Sequence, residues 1–424
     1  MTNDVSGLVD HFFRREAGKM VAFLSRMVGL ARLDLAEDVV QDTLCRALES
    51  WSMQGLPDNP SAWLMRVARN RAIDLLRRDH QFRDFSPELV HRLRLRESLP
   101  EDEAVFEQEI RDDQLRMMVA CCHPELSTAA QVTLILKTLC GFSVPEIAHA
   151  LLVSEDSIEK RLGRARKLFR VSGAFIELTH PSEIPKRLEA VQQAIYLLFS
   201  EGYHGSTSEA TVREDLCFEA IHLTLLLSEH PAGDGPKTHA LLALLCFHAA
   251  RLAGRVDDDG TLIQLEMQDR SRWDHELIGR GFAALARSAT GTDLSEYHLE
   301  AAIASLHCAA PSFAATDWPQ ILDLYDSLYR LKPSPIVALN RAIALGHARG
   351  PEEGLAALAT LRDADRLRDY PFHAAAQGEF HLLAGRPGAA VSHFERAIAL
   401  ARSRTEAAFF ERKLESCREP IAGS

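Results

Sequence analysis

The sequence predicts an all-α protein. Three observations carry this: apolar residues recur at helical spacings along nearly every periodic segment, no stretch alternates as a strand does, and Ala/Leu-rich segments from about residue 185 onward are punctuated by Gly and Pro. With 424 residues, 46% hydrophobic and 25% charged, the chain is long enough for about two to four domains with sizeable cores. Apolar runs stay short of the ~18 residues of a membrane span. The opening MTNDVSGLVDHFFRRE lacks the basic-then-apolar pattern of a signal peptide. Eight cysteines without a CxxC pair suit reduced thiols, so a cytoplasmic location is expected.

Net charge is −12, which argues against a protein coated in nucleic acid, but the charge is unevenly placed. Residues 1–80 balance, 81–125 carry −5, 126–170 carry +3 and 171–424 carry −10. A basic element set in an acidic chain is the informative feature.

Taken in order, Asp34 to Trp51 reads as an amphipathic helix. Val40, Leu44, Ala47, Leu48 and Trp51 form its inner face, and Glu37, Asp38, Gln41, Asp42 and Glu49 an acidic outer one. After Pro57 and Pro60, Ala62 to Arg78 forms a second helix with five arginines against one acid and Trp63 near its start. Cations beside an aromatic suit a melted strand, whose phosphates are neutralised while an exposed base stacks. A lone tryptophan is also commonly core, and both readings of Trp63 stand. Asp79 to Asp113, with Pro87, Pro100 and Glu101-Asp102-Glu103, reads as a linker or in part as a solvated helix face.

Residues 143–170 read as a helix-turn-helix. Ser143-Val144-Pro145-Glu146 is a capping box with proline in the first turn. Ile147, Ala148 and Leu151 form the buried face of a short helix, Leu152-Val153-Ser154 the turn, and Ser154 the next cap. In the second helix Ile158, Leu162, Ala165 and Phe169 make one narrow apolar stripe. Opposite lie Lys160, Arg164 and Lys167, flanked by Arg161, Arg166 and Arg170, and no acid follows Glu159 within the helix. Such a helix can enter a major groove, although a basic face alone is often merely solvated. Leu152 stands where many such turns place glycine.

Near the end, Ile321, Tyr325, Leu328 and Pro333 fall at spacings that recur as Gly354, Leu358 and Leu361, then as Ala390, Phe394 and Ala397, with Gly378 twelve residues before Ala390. These spacings fit degenerate tetratricopeptide-like hairpins, with an irregular bundle as the alternative.

The segments AEDVVQDTLCRALESW (36–51), NPSAWLMRVARNRAIDLLRR (59–78) and GFSVPEIAHALLVSEDSIEKRLGRARKLFR (141–170) resemble the extracytoplasmic-function (ECF) sigma factors of the sigma-70 family. The resemblance implies docking on core RNA polymerase through Asp38, Gln41 and Asp42. It implies −10 recognition and melting through Asn59, Trp63, Arg66, Arg69, Asn70, Arg71, Arg77 and Arg78. It implies −35 readout with Ser157, Lys160, Arg161 and Arg164 nearest the bases, and Ser143, Ser154 and Lys167 completing the set. RMMVACCHPELS, IYLLFSEGYHGS, MQDRSRWD and TDWPQILDLYDSLYRLKPSPIVALNRAIA further resemble the subgroup with a long tetratricopeptide-containing extension. In that subgroup the extension is the regulatory element, and a small DGPF/YCII-like protein is an implied associate. The expected organisation is sigma region 2 at 1–79, a linker at 80–113, sigma region 4 at 114–172, a helical extension at 173–300 and hairpins at 301–424.

Cys121-Cys122-His123 invites a metal reading, but adjacent helical cysteines diverge by about 100° and no second Cys/His pair sits nearby, so buried thiols are expected. Glu266, Gln268, Asp269, Arg270, Arg272, Trp273 and Asp274 form a dense polar-aromatic cluster, readable as a ligand or domain contact or as a salt-bridged corner. No phosphate loop, nucleophile elbow or paired-His motif appears, so neither enzymatic activity nor a cofactor or metal is expected. The rival functions are a one-component helix-turn-helix regulator with a sensing extension, and an interaction scaffold. The basic 62–78 segment separates the first rival, since an operator binder needs no strand-opening helix.

Overall fold

Prolines and capping side chains set many of the helix starts. Pro60, Pro236, Pro335, Pro351, Pro371 and Pro387 each open a helix, where a missing N–H costs nothing. Asp274, Asp317 and Ser334 accept backbone N–H groups as N-caps. The computed structural model describes residues 2–78, 103–151, 153–171, 184–204, 212–257, 261–361, 367–401 and 404–418. Leu152, and the expected linker up to residue 102, lie outside them. The described residues contain helices and one isolated bridge, Val256 to Leu262, but no strand. None of the helices is long and apolar enough to cross a membrane.

The chain divides into two compact units. The first runs to Leu197 and includes Glu229–Gly233; the second holds Leu198–Ser228 and Asp234–Ser424. In the first, α1 (Thr2–Val28), α2 (Leu33–Gln54) and α3 (Pro60–Arg78) pack together, followed by α4 (Glu103–Cys121), α5 (Thr128–Thr138), α6 (Val144–Ala150) and α7 (Glu155–Val171). Met20, Leu24, Leu33, Val39, Leu64, Met65 and Ala68 fill the core of the first three helices.

Two positions differ from the expected faces of α2 and α3. Leu48, expected inside, is 56% exposed, while Thr43 takes a core position by returning its hydroxyl to the Val39 carbonyl. Arg69 is 7% exposed and sits among Met65, Ala68 and Ala72 on the buried side of α3.

The expected boundary at 113/114 falls inside α4. Asp113 is buried and binds Arg26 of α1 at 3.1 Å and Arg116 at 3.3 Å, so the helix before residue 114 belongs to the core. Removing one partner of a buried ion pair costs far more than the pair contributes. Asp113→Ala is therefore expected to lower stability by about 3 kcal/mol, read as an earlier midpoint of the first urea transition.

In the second unit α9 (Glu214–Glu229) precedes α10 (Pro236–Ala249), which is apolar on nearly all faces and packs against α11 (His275–Ser288) and α12 (Glu296–Ala309). The division between units falls within α8 (Ile184–His204), and the expected boundary at 300/301 falls inside α12. Among the described residues six helices follow, each packed against the next: α13 (Trp318–Leu331), α14 (Pro335–Arg349), α15 (Pro351–Ala359), α16 (Pro371–Leu383), α17 (Pro387–Leu400) and α18 (Arg404–Arg418). A Cβ on Gly346 would meet the Phe380 ring at 2.2 Å, and one on Gly378 would meet Phe394 at 2.9 Å. Small residues thus let adjacent helices close while an aromatic ring fills the seam.

Candidate nucleic-acid interface

The helix-turn-helix is assembled from its own caps. The Glu146 carboxylate accepts from the Ser143 backbone N–H at 2.8 Å and from its hydroxyl at 2.7 Å, and the Glu146 N–H reaches back to Ser143 Oγ. Ser154 Oγ accepts from the Ser157 N–H at the start of α7. Ser143 and Ser154, two of the three serines placed in the −35 set, are therefore helix caps.

Along α7, Ile158, Leu162, Ala165 and Phe169 are all at most 2% exposed, so one stripe carries the packing. The cations then divide into two groups. Lys160, Arg164 and Lys167 face solvent, with Ser157 and Arg161 half-buried beside them. Lys160 reaches back to Asp156 at 2.7 Å, and Arg161 donates to Thr133 Oγ1 at 3.5 Å. Arg166 and Arg170 instead turn towards α2. Arg166 binds Asp34 at 2.6 Å and Glu37 at 2.7 Å, and Arg170 shares Asp34. Burial pushes the Glu37 carboxyl up, against the pull of Arg166 and Lys137.

Further contacts tie the same helices. Arg14 of α1 pairs with Glu146 and lies over the Phe142 ring at 4.9 Å. A Cβ on Gly18 would stand 1.8 Å from the Leu139 carbonyl oxygen, so α1 and the end of α5 meet backbone to backbone. Gly141 has φ +69 and faces the Arg14 backbone, a conformation and a closeness that only glycine meets without strain.

On α3, Asn59 caps the helix through the Ala62 N–H at 3.0 Å. Arg66 and Asn70 are exposed, and Arg71 binds Asp42 of α2 at 2.9 Å. The expected strand-contacting set thus loses Arg69 to the core. The side chains of Arg77 and Arg78 lie outside the described residues. Trp63 is half-buried, with its ring 5.5 Å from Trp51, which stacks in turn on Phe13. One edge of Trp63 packs and the rest stays accessible. Sequence reasoning passed over Met53 and Leu56, at and just beyond the end of α2, which are 77% and 74% exposed. On the outer face of α2, Asp38 and Gln41 are exposed, while Asp42 is shared between Arg71 and Arg46.

Cys121 and Cys122 are each 1% exposed, and Cys121 Sγ lies 3.3 Å from Thr138 Oγ1. Burial pushes the Cys121 thiol up to about 12, so both side chains act as core. Among the described residues no group of His, Cys, Asp and Glu is arranged to hold a metal.

Residues 12–82 match Sigma-70 region 2, residues 116–169 match Sigma-70 region 4, and residues 187–289 match a family of unknown function. An uncharacterized protein of Rhizobium meliloti (strain 1021) is 39% identical over 385 residues, covering 90% of each chain. The RNA polymerase sigma factor CnrH of Cupriavidus metallidurans is 34% identical over 155 residues, 35% of this chain and 78% of that one. The ECF RNA polymerase sigma factor SigL of Mycobacterium tuberculosis is 30% identical over 138 residues, 32% of this chain and 73% of its own. No solved structure matches the chain. Regions 2 and 4 coincide with α1–α3 and α4–α7, the helices that present the two cationic faces, so the chain belongs to the ECF RNA polymerase sigma factors and acts in transcription initiation.

Proposed function

We propose that Lys160, Arg164 and Lys167, with Arg161 and Ser157, form the face that enters the major groove of the −35 element. The observation that carries this reading is the single buried stripe of α7, which leaves that row on the solvent side. Ser143 and Ser154 act by capping, which fixes the angle at which α7 is presented. Arg66 and Arg71 of α3 neutralise the −10 strand, Asn70 hydrogen-bonds to it, and the accessible side of Trp63 stacks on an extruded base. Asp38, Gln41 and Asp42 dock on core polymerase in the cytoplasm. The chain works by binding, with no catalytic step.

The long extension is a regulatory element whose last hairpins are tetratricopeptide-like. A small DGPF/YCII-like protein belongs to this reading on the family resemblance alone. Reconstituted transcription with core polymerase lacking any other sigma factor tests it. Initiation at a cognate promoter is expected, and failure at every cognate promoter overturns the reading.

A further inference from the structure

Three guanidiniums of the second unit lie around two aromatic rings, and among the described residues no carboxylate forms an ion pair with them. Arg251 follows α10, Arg255 ends the next helical turn, and Arg270 opens the turn Arg270–Arg272. Arg251 is 9% exposed and donates to the Tyr203 hydroxyl at 3.1 Å. Arg255 stacks over the Tyr203 ring at 3.8 Å. Arg251 and Arg270 stand 5.8 and 4.5 Å from the centre of the Trp273 ring. Arg270 Nη1 donates to the carbonyls of His307 and Ala310, at the end of α12.

Those contacts leave donors over. Arg251 Nε, Arg255 Nε, Arg270 Nη2 and Trp273 Nε1 are buried without an acceptor, and Trp273 is 4% exposed. No ion pair joins the three arginines to any described residue. Other acids of this unit are already engaged: Asp257 pairs with Arg412 at 2.9 Å. Asp269 accepts from the Ser271 N–H and hydroxyl, Asp274 caps Leu277, and Asp215 is gripped by Arg213 at 2.8 and 3.0 Å. The polar-aromatic cluster thus shows no ion pair among the described residues: Asp269 closes the turn at Ser271 and Asp274 caps α11, while Arg270 and Trp273 point inward.

The local field is correspondingly positive. Burial pushes the Tyr203 phenol up, yet Arg251 and Arg255 outweigh it and leave the group below its ordinary value. His307 is pushed down to about 3 by burial, then by Arg251 and Arg270. Like charges gathered out of water are costly unless something of opposite sign joins them.

We propose that Arg251, Arg255 and Arg270 form a ligand site in the extension, which takes a small multivalent oxyanion. Planar guanidinium forks match phosphate and carboxylate oxygens two at a time, and Trp273 Nε1 adds a neutral donor. This site lies within the family of unknown function matched by residues 187–289, and gives that segment a sensing role. It stands independently of the promoter reading, because its test needs neither polymerase nor DNA.

The experiment is thermal melting and calorimetric titration of the full chain with sodium pyrophosphate and, separately, trisodium citrate, each against chloride of equal ionic strength. Saturating ligand is expected to raise the melting temperature by roughly 5 °C. A rise with pyrophosphate alone assigns phosphate chemistry, and a rise with citrate alone assigns polycarboxylates. The shift should vanish in Arg251→Met with Arg255→Met, and in the milder Arg255→Gln, whose half-buried side chain can change without opening the core. It should persist in Lys160→Ala, Arg161→Ala, Arg164→Ala, which removes the other cationic surface. No shift with either anion, or a shift lost only in the α7 variant, overturns the proposal.

Discussion

Replacing Lys160, Arg161 and Arg164 together by alanine is expected to weaken binding to a −35 duplex by roughly 10²-fold or more, since each good base contact is worth about 1–3 kcal/mol. The dependence on salt should flatten as well, by about one unit of slope for each phosphate contact removed. Folding should be unaffected, because the packing of α7 rests on Ile158, Leu162, Ala165 and Phe169 and none of the three cations belongs to that stripe. Fluorescence anisotropy at several salt concentrations, with thermal melting as the control, reads both quantities. Undiminished initiation at a −35-dependent promoter would remove the groove assignment while leaving the family intact.

This face was legible because everything that builds it is local. The Ser143–Glu146 box, the Ser154 cap and the four-residue stripe are each defined within one or two helical turns, and the structure forms all three. Arg69 was not legible. Periodicity allows several neighbouring residues to border a buried face, and only the packing of α3 against α1 and α2 decides which of them turns inward. Leu48 failed for the matching reason, since Thr43 can enter the core once its hydroxyl is bonded to its own helix.

Contacts distant in sequence left no signal at all. Nothing around Asp34 announces that Arg166 will hold it, and nothing around Gly18 announces the Leu139 carbonyl. The cluster Glu266 to Asp274 shows the same limit in the extension. Its composition permitted ion pairs, but the local caps draw Asp269 and Asp274 to backbone N–H groups and leave Arg270 to face the Trp273 ring.

Neutralising Asp34 and Glu37 should strengthen −35 binding, and the reason is geometric. Arg166 of α7 holds Asp34 and Glu37, while Arg71 of α3 holds Asp42, on the same helix. Eight residues of helix span about 12 Å. The −35 and −10 elements lie about 25 base pairs apart, or about 85 Å along the duplex. If α7 and α3 read those elements as proposed, they cannot reach both while both grip α2, and promoter recognition would require these ion pairs to open. Partly exposed ion pairs contribute up to about 1 kcal/mol each. Asp34→Asn with Glu37→Gln is therefore expected to raise −35 affinity by roughly 5- to 30-fold, with a larger radius of gyration in solution scattering. Removing two negative charges also favours DNA by simple electrostatics. Asp38→Asn with Glu49→Gln removes the same charge from exposed positions of α2 and calibrates that effect. Equal gains from the two double variants, with no expansion in either, would mean that these pairs do not restrain α7.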